Sequence, residues 1–312
     1  MTNQPFLQEV ENDSGLNNLK STQDWLKENK IFIELKLEEH GAIIFKDLPV
    51  KTAEDFDQFV STFNYDTFTY EESLSNAVRI NKTDKVFTAN EAPREVEIFL
   101  HHEMAQTPTY PKNIFFFCKS ASETGGETPL CRSDQLYEAL LKADKALVES
   151  FEKFGVIYNS IMSSGDELIS GQGRSWQKTL GVSSKNDAEE KLSKLGYSWN
   201  WIEDDNLSVT TKTLQATKEL GNGQKSFFNQ VIAASLGWKK NSENQIAPVR
   251  FGNGEEIKES YIELISELAQ SLTLLRSWQD HDILLIDNYR VMHGRKPFAG
   301  NKNREVLVSL TN

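Results

Sequence analysis

The segments of this chain that read as strands are not separated by helices in any regular order, and this restricts the fold more than any other feature. "AIIFK" (42–46), "NIFFFCKS" (113–120), "DILLIDN" (282–288) and "REVLVSL" (304–310) are short apolar runs. Runs of that length and composition suit buried strands. Residues 197–233 alternate in ways that suit further strands. Helical spacing predicts a helix over 22–40, with Trp25, Leu26, Ile31, Ile33 and Leu35 making apolar contacts. A second is predicted from Thr52, with Asp55 three residues on. One long helix is expected over 133–155, with Ser133 as N-cap and Gly155 as stop, and others over 187–196 and 257–272. Strands dominate the second half without alternating with helices. That argues against a doubly wound parallel sheet and for a mainly β barrel or sandwich with flanking helices.

At 312 residues the chain can bury a full core, and no linker or repeat divides it, so a single domain over 1–312 is expected. One segment, 162–186, is polar, rich in Gly and Ser and longer than a usual connection, which suits a lid over a functional site. The net charge of −12 disfavours nonspecific contact with nucleic acid or anionic membrane. No run of about 18 apolar residues is present, and the N-terminus lacks the basic and apolar regions of a secretory signal. Two cysteines, Cys118 and Cys131, are too few for a disulfide framework and read as reduced thiols of a cytoplasmic protein.

Of five histidines, two stand together in "FLHHEMAQ" (99–106). A zinc-protease helix needs His-Glu-x-x-His, and the second histidine is missing. On an extended segment, residues two apart share a face, so His101 and Glu103 point one way and His102 the other. One imidazole beside one carboxylate is two thirds of a facial triad for non-haem iron(II); the plainer reading is a surface or packed histidine. For a third ligand, His40 sits in a charged helix end and faces water in this reading, and His281 reads as a turn residue. His293 follows "DILLIDN", where a closed sheet would bring it beside the pair. A 2-oxo acid cosubstrate would also need its far carboxylate held. Arg304, eleven residues beyond His293, suits that task with its planar fork, and Thr128 in "GGETPL" offers a hydroxyl. Arg295 competes with Arg304, but lies only two residues from the metal candidate.

"FTANE", "HHEMAQ", "GGETP", "GRSW" and "LLIDNYRVMH", in this order, resemble the taurine dioxygenase and clavaminate synthase-like group of oxygenases, especially its clavaminate synthase-like plant members. The similarity runs from about residue 40 to the C-terminus. It implies a double-stranded β-helix, or jelly roll, and a dioxygenase using Fe(II), 2-oxoglutarate and O2 to hydroxylate an unactivated C–H bond. It carries over His101, Glu103 and His293 as iron ligands and Thr128 and Arg304 as 2-oxoglutarate contacts. It makes Arg174 and Asn229 candidates for substrate contact. The implied partner is a small amino-acid-like or acidic molecule, free or tethered to an acyl carrier domain. Two departures matter. Glu103 stands where the taurine enzymes use aspartate, and Val308 stands where they carry a second arginine, so taurine is not the expected substrate. Retention of Glu103 also argues against halogenation, which needs that coordination position cleared. The alternatives are a non-catalytic jelly roll that binds a small molecule or metal, and a zinc hydrolase built on the same triad.

Overall fold

The computed structural model describes residues 6–69, 74–75, 77–167, 173–221, 223–238 and 247–312. Its centre is a seven-stranded sheet in the order Leu7–Val10, Ala42–Phe45, Ile283–Asp287, Asn113–Ser120, Glu305–Thr311, Thr67–Phe68, with Phe87–Thr88 also on Glu305–Thr311. Leu7–Val10 pairs parallel to its neighbour, and the other pairs are antiparallel. A four-stranded antiparallel sheet faces it, in the order Thr273–Arg276, Thr128–Arg132, Val291–Arg295, Ile98–His101. Together they form a double-stranded β-helix with helices outside.

The uninterrupted apolar runs now have a cause. Both faces of the large sheet are buried, so alternate residues serve different cores. Ile43, Phe45, Phe115, Phe117 and Leu285 pack against Leu26, Ile33, Phe56 and Phe59 of the helices Leu19–His40 and Ala53–Ser61. Ile44, Ile114, Phe116, Leu284 and Val308 point inward and meet Leu130 and Val291 of the facing sheet. A further sheet, Ser198–Trp201, Leu207–Thr210, Val156–Met162 and Val249–Phe251, extends the body.

Local signals set most element ends. Thr52 caps its helix as expected: its hydroxyl accepts from Asp55 N at 3.1 Å, and the Asp55 carboxylate accepts from Thr52 N at 3.1 Å. The predicted helix over 133–155 is two helices, Ser133–Ala143 and Lys145–Phe154. Asp144 breaks it, because its carboxylate accepts from Leu147 N and starts the second helix afresh. Ser133 is not an N-cap but the first helical residue; its hydroxyl donates to Arg290 O. The strand-like stretch through 233 ends earlier, since Val231–Gly237 is helical. Ile31 and Leu35 are exposed at 74% and 60%, on the face of their helix turned away from the sheet. His40, expected to face water, is buried in the last turn of that helix.

Candidate metal centre

His101 lies directly opposite His293, on the antiparallel neighbours Ile98–His101 and Val291–Arg295. The register then shifts before Arg295 meets Ile98. Gly294 sits at that shift, where a Cβ would fall 2.4 Å from Ile98 O, so only glycine permits the approach. The two imidazole rings stand 4.4 Å apart between centroids. The strand stops at His101, and Glu103 lies in the turn that follows, in which Met104 takes a left-handed conformation with φ 60°. Ligand atoms of His101, Glu103 and His293 all lie within 4.8 Å of one another. The extended segment expected through residue 103 is therefore shorter than strand alternation requires. Glu103 reaches the histidines through a turn.

His102 points the other way and is fully buried. Its ring packs on Phe228 at 4.5 Å, and its Nδ1 donates to Asn288 O at 2.5 Å. Burial, partly offset by that carbonyl, pulls its pKa down to about 3. His101 is pulled down to about 4, by burial first and by the nearby His293 next. Burial on its own would raise the Glu103 carboxyl, but the Arg79 guanidinium, then His293 and His101, override it and hold the acid well below the usual range. The result is a neutral His101 beside an ionised carboxylate at neutral pH, the protonation states that a divalent cation requires of its ligands.

His101 and His293 line a cavity with about 470 Å³ of empty space, part of it open to solvent. Arg79, Thr128, Arg295 and Arg304 line it too. The two arginines that compete in the sequence differ in what they hold. Arg295 gives its terminal nitrogens to four main-chain carbonyls, those of Asn90, Ala92, Pro93 and Val96, at 2.7–3.3 Å. It is a clamp on the 90–96 loop. Arg304 makes one long bond, from Nη2 to Gly126 O at 3.3 Å, and its buried Nε has no partner among the described residues. A half-buried guanidinium with donors to spare fits an anion. The double glycine makes room for it, since a Cβ on Gly126 would lie 2.9 Å from Arg304 Nε. The Thr128 hydroxyl oxygen accepts from Trp278 Nε1 at 3.0 Å, which leaves its own proton to donate.

The two candidates for substrate contact stand elsewhere. Arg174 is not among the residues lining this cavity; its Nη1 donates to Ser75 O at 3.4 Å. Asn229 is buried with its amide engaged internally: Nδ2 donates to Ala216 O and Oδ1 accepts from Val231 N, both at 2.9 Å. His281 is a turn residue, with φ 76°. Sequence reasoning passed over Arg79, Asn288 and Trp278. Asn288 closes "LLIDN", whose position beside a candidate ligand strand was the available signal; Arg79, in "AVRIN", had none.

A family model described as taurine catabolism dioxygenase TauD, TfdA family matches residues 7–310. The chain belongs to the TauD/TfdA family. This dioxygenase is 33% identical over 286 residues to a clavaminate synthase-like protein of Arabidopsis thaliana, covering 91% of this chain and 86% of that one. It is 27% identical over 289 residues to the dapdiamide synthesis protein DdaC of Enterobacter agglomerans, covering 88% and 83%. In fold the dioxygenase resembles PvcB from Pseudomonas aeruginosa, with a TM-score of 0.55, 13% identity and coverage of 99% and 87%. It also resembles AAD-2, solved with Mn(II) and N-oxalylglycine, with a TM-score of 0.50, 15% identity and coverage of 90% and 86%. Among the described residues no helix is long and apolar enough to cross a membrane.

Proposed function

We propose that His101, Glu103 and His293 hold Fe(II), that Thr128 and Arg304 hold the far carboxylate of 2-oxoglutarate, and that the enzyme hydroxylates a small amino-acid-like or acidic substrate. The convergence of two imidazoles and one carboxylate within 4.8 Å carries this reading. The donor set is that of non-haem iron(II) oxygenases: three protein ligands with open positions beyond them. PvcB is described as an Fe, alpha-ketoglutarate-dependent oxygenase, and N-oxalylglycine accompanies Mn(II) in AAD-2. Both fit the same pairing of cation and 2-oxo acid here.

Bound iron(II) supplies the oxygen chemistry, in which O2 and 2-oxoglutarate are consumed, succinate and carbon dioxide leave, and one oxygen atom goes to the substrate. The protein supplies position. Arg304, half-buried and held to Gly126, presents its guanidinium to the cavity. Thr128, fixed by Trp278, donates beside it. Phe116 packs against His293 at 5.3 Å and walls the cavity with apolar surface. No side chain need act as a general base.

The chain works as one domain, which the family match over residues 7–310 supports. Segment 162–186 serves as its lid. Residues 168–172 lie outside the described residues, but beyond them Trp176 packs edge-on against Trp201 at 5.1 Å and Arg174 reaches back to Ser75. Arg174 is our candidate for the substrate's carboxylate, whereas the engaged amide of Asn229 suits a supporting role better than direct contact. Val308 is fully buried and apolar, so the sulfonate of taurine would find no cation there. We place the enzyme in the cytoplasm, where the buried free thiols of Cys118 and Cys131 stay reduced. The family match and the convergence of the three candidate ligands favour an enzyme over a non-catalytic binder.

The test is anaerobic addition of Fe(II) and 2-oxoglutarate to the purified protein, followed by oxygen and a panel of small acids, free and carrier-tethered. A weak visible charge-transfer band and substrate-stimulated succinate are expected. No band and no succinate, or turnover that persists without oxygen, would overturn the reading.

A further inference from the structure

Arg79 is the one buried cation that touches a candidate ligand among the described residues. Its Nη2 lies 3.3 Å from Glu103 Oε1, and the two side chains are 8% and 4% exposed. Burying a guanidinium costs several kcal/mol unless it is paired, so a residue here for packing alone would be apolar. The surrounding chain fixes Arg79 from both sides. Ile80 N donates to the Thr88 hydroxyl at 3.0 Å, Thr88 N donates to Ile80 O at 2.8 Å, and Glu91 N donates to Val78 O at 3.2 Å. Thr88 in turn pairs with Leu307 on the final strand, and Arg79 Nη1 reaches Thr88 O at 3.4 Å. The guanidinium is thus braced against the large sheet while its other nitrogen holds Glu103.

The two oxygens of that carboxylate face different neighbours. Oε1 meets Arg79, and Oε2 lies 3.5 Å from His293 Nε2, another of the candidate ligands. A carboxylate is free to bind a cation through one oxygen or both. Bidentate binding would use one more of the six octahedral positions, and a bidentate 2-oxo acid together with dioxygen needs three. Glutamate has one more rotatable bond than aspartate, so its carboxylate has more freedom to swing into that second contact.

We infer that Arg79 is a positioning residue: by occupying Oε1 it restricts Glu103 to one-oxygen ligation and keeps a coordination position open. This rests on the triad assignment above, and the experiment separates the two.

The readout is the number of water molecules on Mn(II) bound to the protein, from line broadening of its magnetic resonance spectrum in oxygen-17 water and from water-proton relaxation. Neither depends on turnover. Arg79→Met, which preserves volume, is expected to lose one bound water relative to wild type while still binding Mn(II). Arg79→Lys, which keeps a cationic donor, is expected to retain it. A general loosening of the site would instead weaken Mn(II) binding and leave the cation more hydrated. Arg79→Ala replaces the methionine variant if that fails to fold, and is read in the same way. An unchanged or increased water count in the neutral variant overturns the inference. If at the same time Glu103→Ala abolishes Mn(II) binding, the triad stands and only the role of Arg79 falls. If Glu103→Ala binds Mn(II) as wild type does, the triad itself is wrong.

Discussion

Asn288 grips the main chain of Glu103 from both sides. Its Oδ1 accepts from Glu103 N at 2.8 Å, and its Nδ2 donates to Glu103 O at 3.1 Å and to Pro111 O at 2.8 Å. Its own carbonyl takes the bond from His102. One fully buried amide at the end of "LLIDN" therefore sets where the turn after His101 places its carboxylate. Asn288→Ala would strand several buried polar groups, each costing about 1–3 kcal/mol when left unsatisfied. We expect a loss of about 2–4 kcal/mol in urea unfolding, with weakened Mn(II) binding in the protein that remains folded. Asn288→Asp keeps the acceptor for Glu103 N and loses both donations, so it should fall at least as far. Wild-type stability in Asn288→Ala would show that water replaces the clasp.

His101 and His102 are neighbours in sequence with opposite surroundings, so their alanine variants should separate. His101→Ala removes a candidate ligand from the rim of a cavity and is expected to abolish Fe(II) binding with little change in unfolding midpoint. His102→Ala leaves a hole against Phe228 and an unsatisfied carbonyl at Asn288, and should cost about 2–4 kcal/mol of stability while retaining iron in the folded fraction. Titration with Fe(II) under nitrogen, beside thermal unfolding of each variant, checks this. Loss of iron in His102→Ala alone would mean that the wrong imidazole has been assigned.

The legible part of the fold was the part governed by local chemistry. The apolar runs at 42–46, 113–120 and 282–288 declared buried strands, and the Thr52–Asp55 pair declared a helix start. What failed was a competition that sequence periodicity does not weigh. Asp144 fits a helical spacing yet makes a better N-cap, so one helix became two. The charged neighbours of His40 point it to water, yet it is buried in the last turn of its helix. At the site, five histidines in the chain made His101 and His293 easy to single out, and the ordered motifs of the family resemblance named Glu103 with them. The brace Arg79 carries no local signal, its partner lying 24 residues away, and Asn288 stands in a legible motif whose grip on Glu103, 185 residues away, only the fold reveals. The spacing that put His101 and Glu103 on one face gave an incomplete reason for their meeting: a turn, rather than strand alternation, brings Glu103 beside His101.

Cys118 and Cys131 give a prediction on pH. Both thiols are fully buried, and burial first of all pushes each from its ordinary value of 9.0 up to about 12. The fold therefore favours the protonated form. Their contribution to stability is complete below about pH 9 and is lost as pH rises from there towards 12, because only the unfolded chain releases the protons easily. Urea midpoints should decline across that window, and iodoacetamide at pH 8 should label neither cysteine until the protein is denatured. Fast labelling of the native protein would contradict the burial of both.

Arg295 and Arg304 line one cavity, and their substitutions should fail in different ways. Arg295 spends its terminal nitrogens on the carbonyls of the 90–96 loop, so Arg295→Met leaves those acceptors without donors inside the protein. That variant is expected to lose about 2–4 kcal/mol of stability, and its 2-oxoglutarate affinity should suffer only as the loop loosens. Arg304 makes one long bond to the protein among the described residues, against four for Arg295, so Arg304→Met removes a partly desolvated charge and should unfold no more easily than wild type. Its cost should appear in binding. Losing a charge-assisted pair with the far carboxylate removes about 2–3 kcal/mol, which is roughly 30- to 150-fold in the KM for 2-oxoglutarate. Arg304→Lys should recover part of this, since a point charge replaces the fork without its second bond. Measuring unfolding midpoints and 2-oxoglutarate KM for the two methionine variants side by side tests the division of labour. A KM that moves more in Arg295→Met than in Arg304→Met would exchange the two roles.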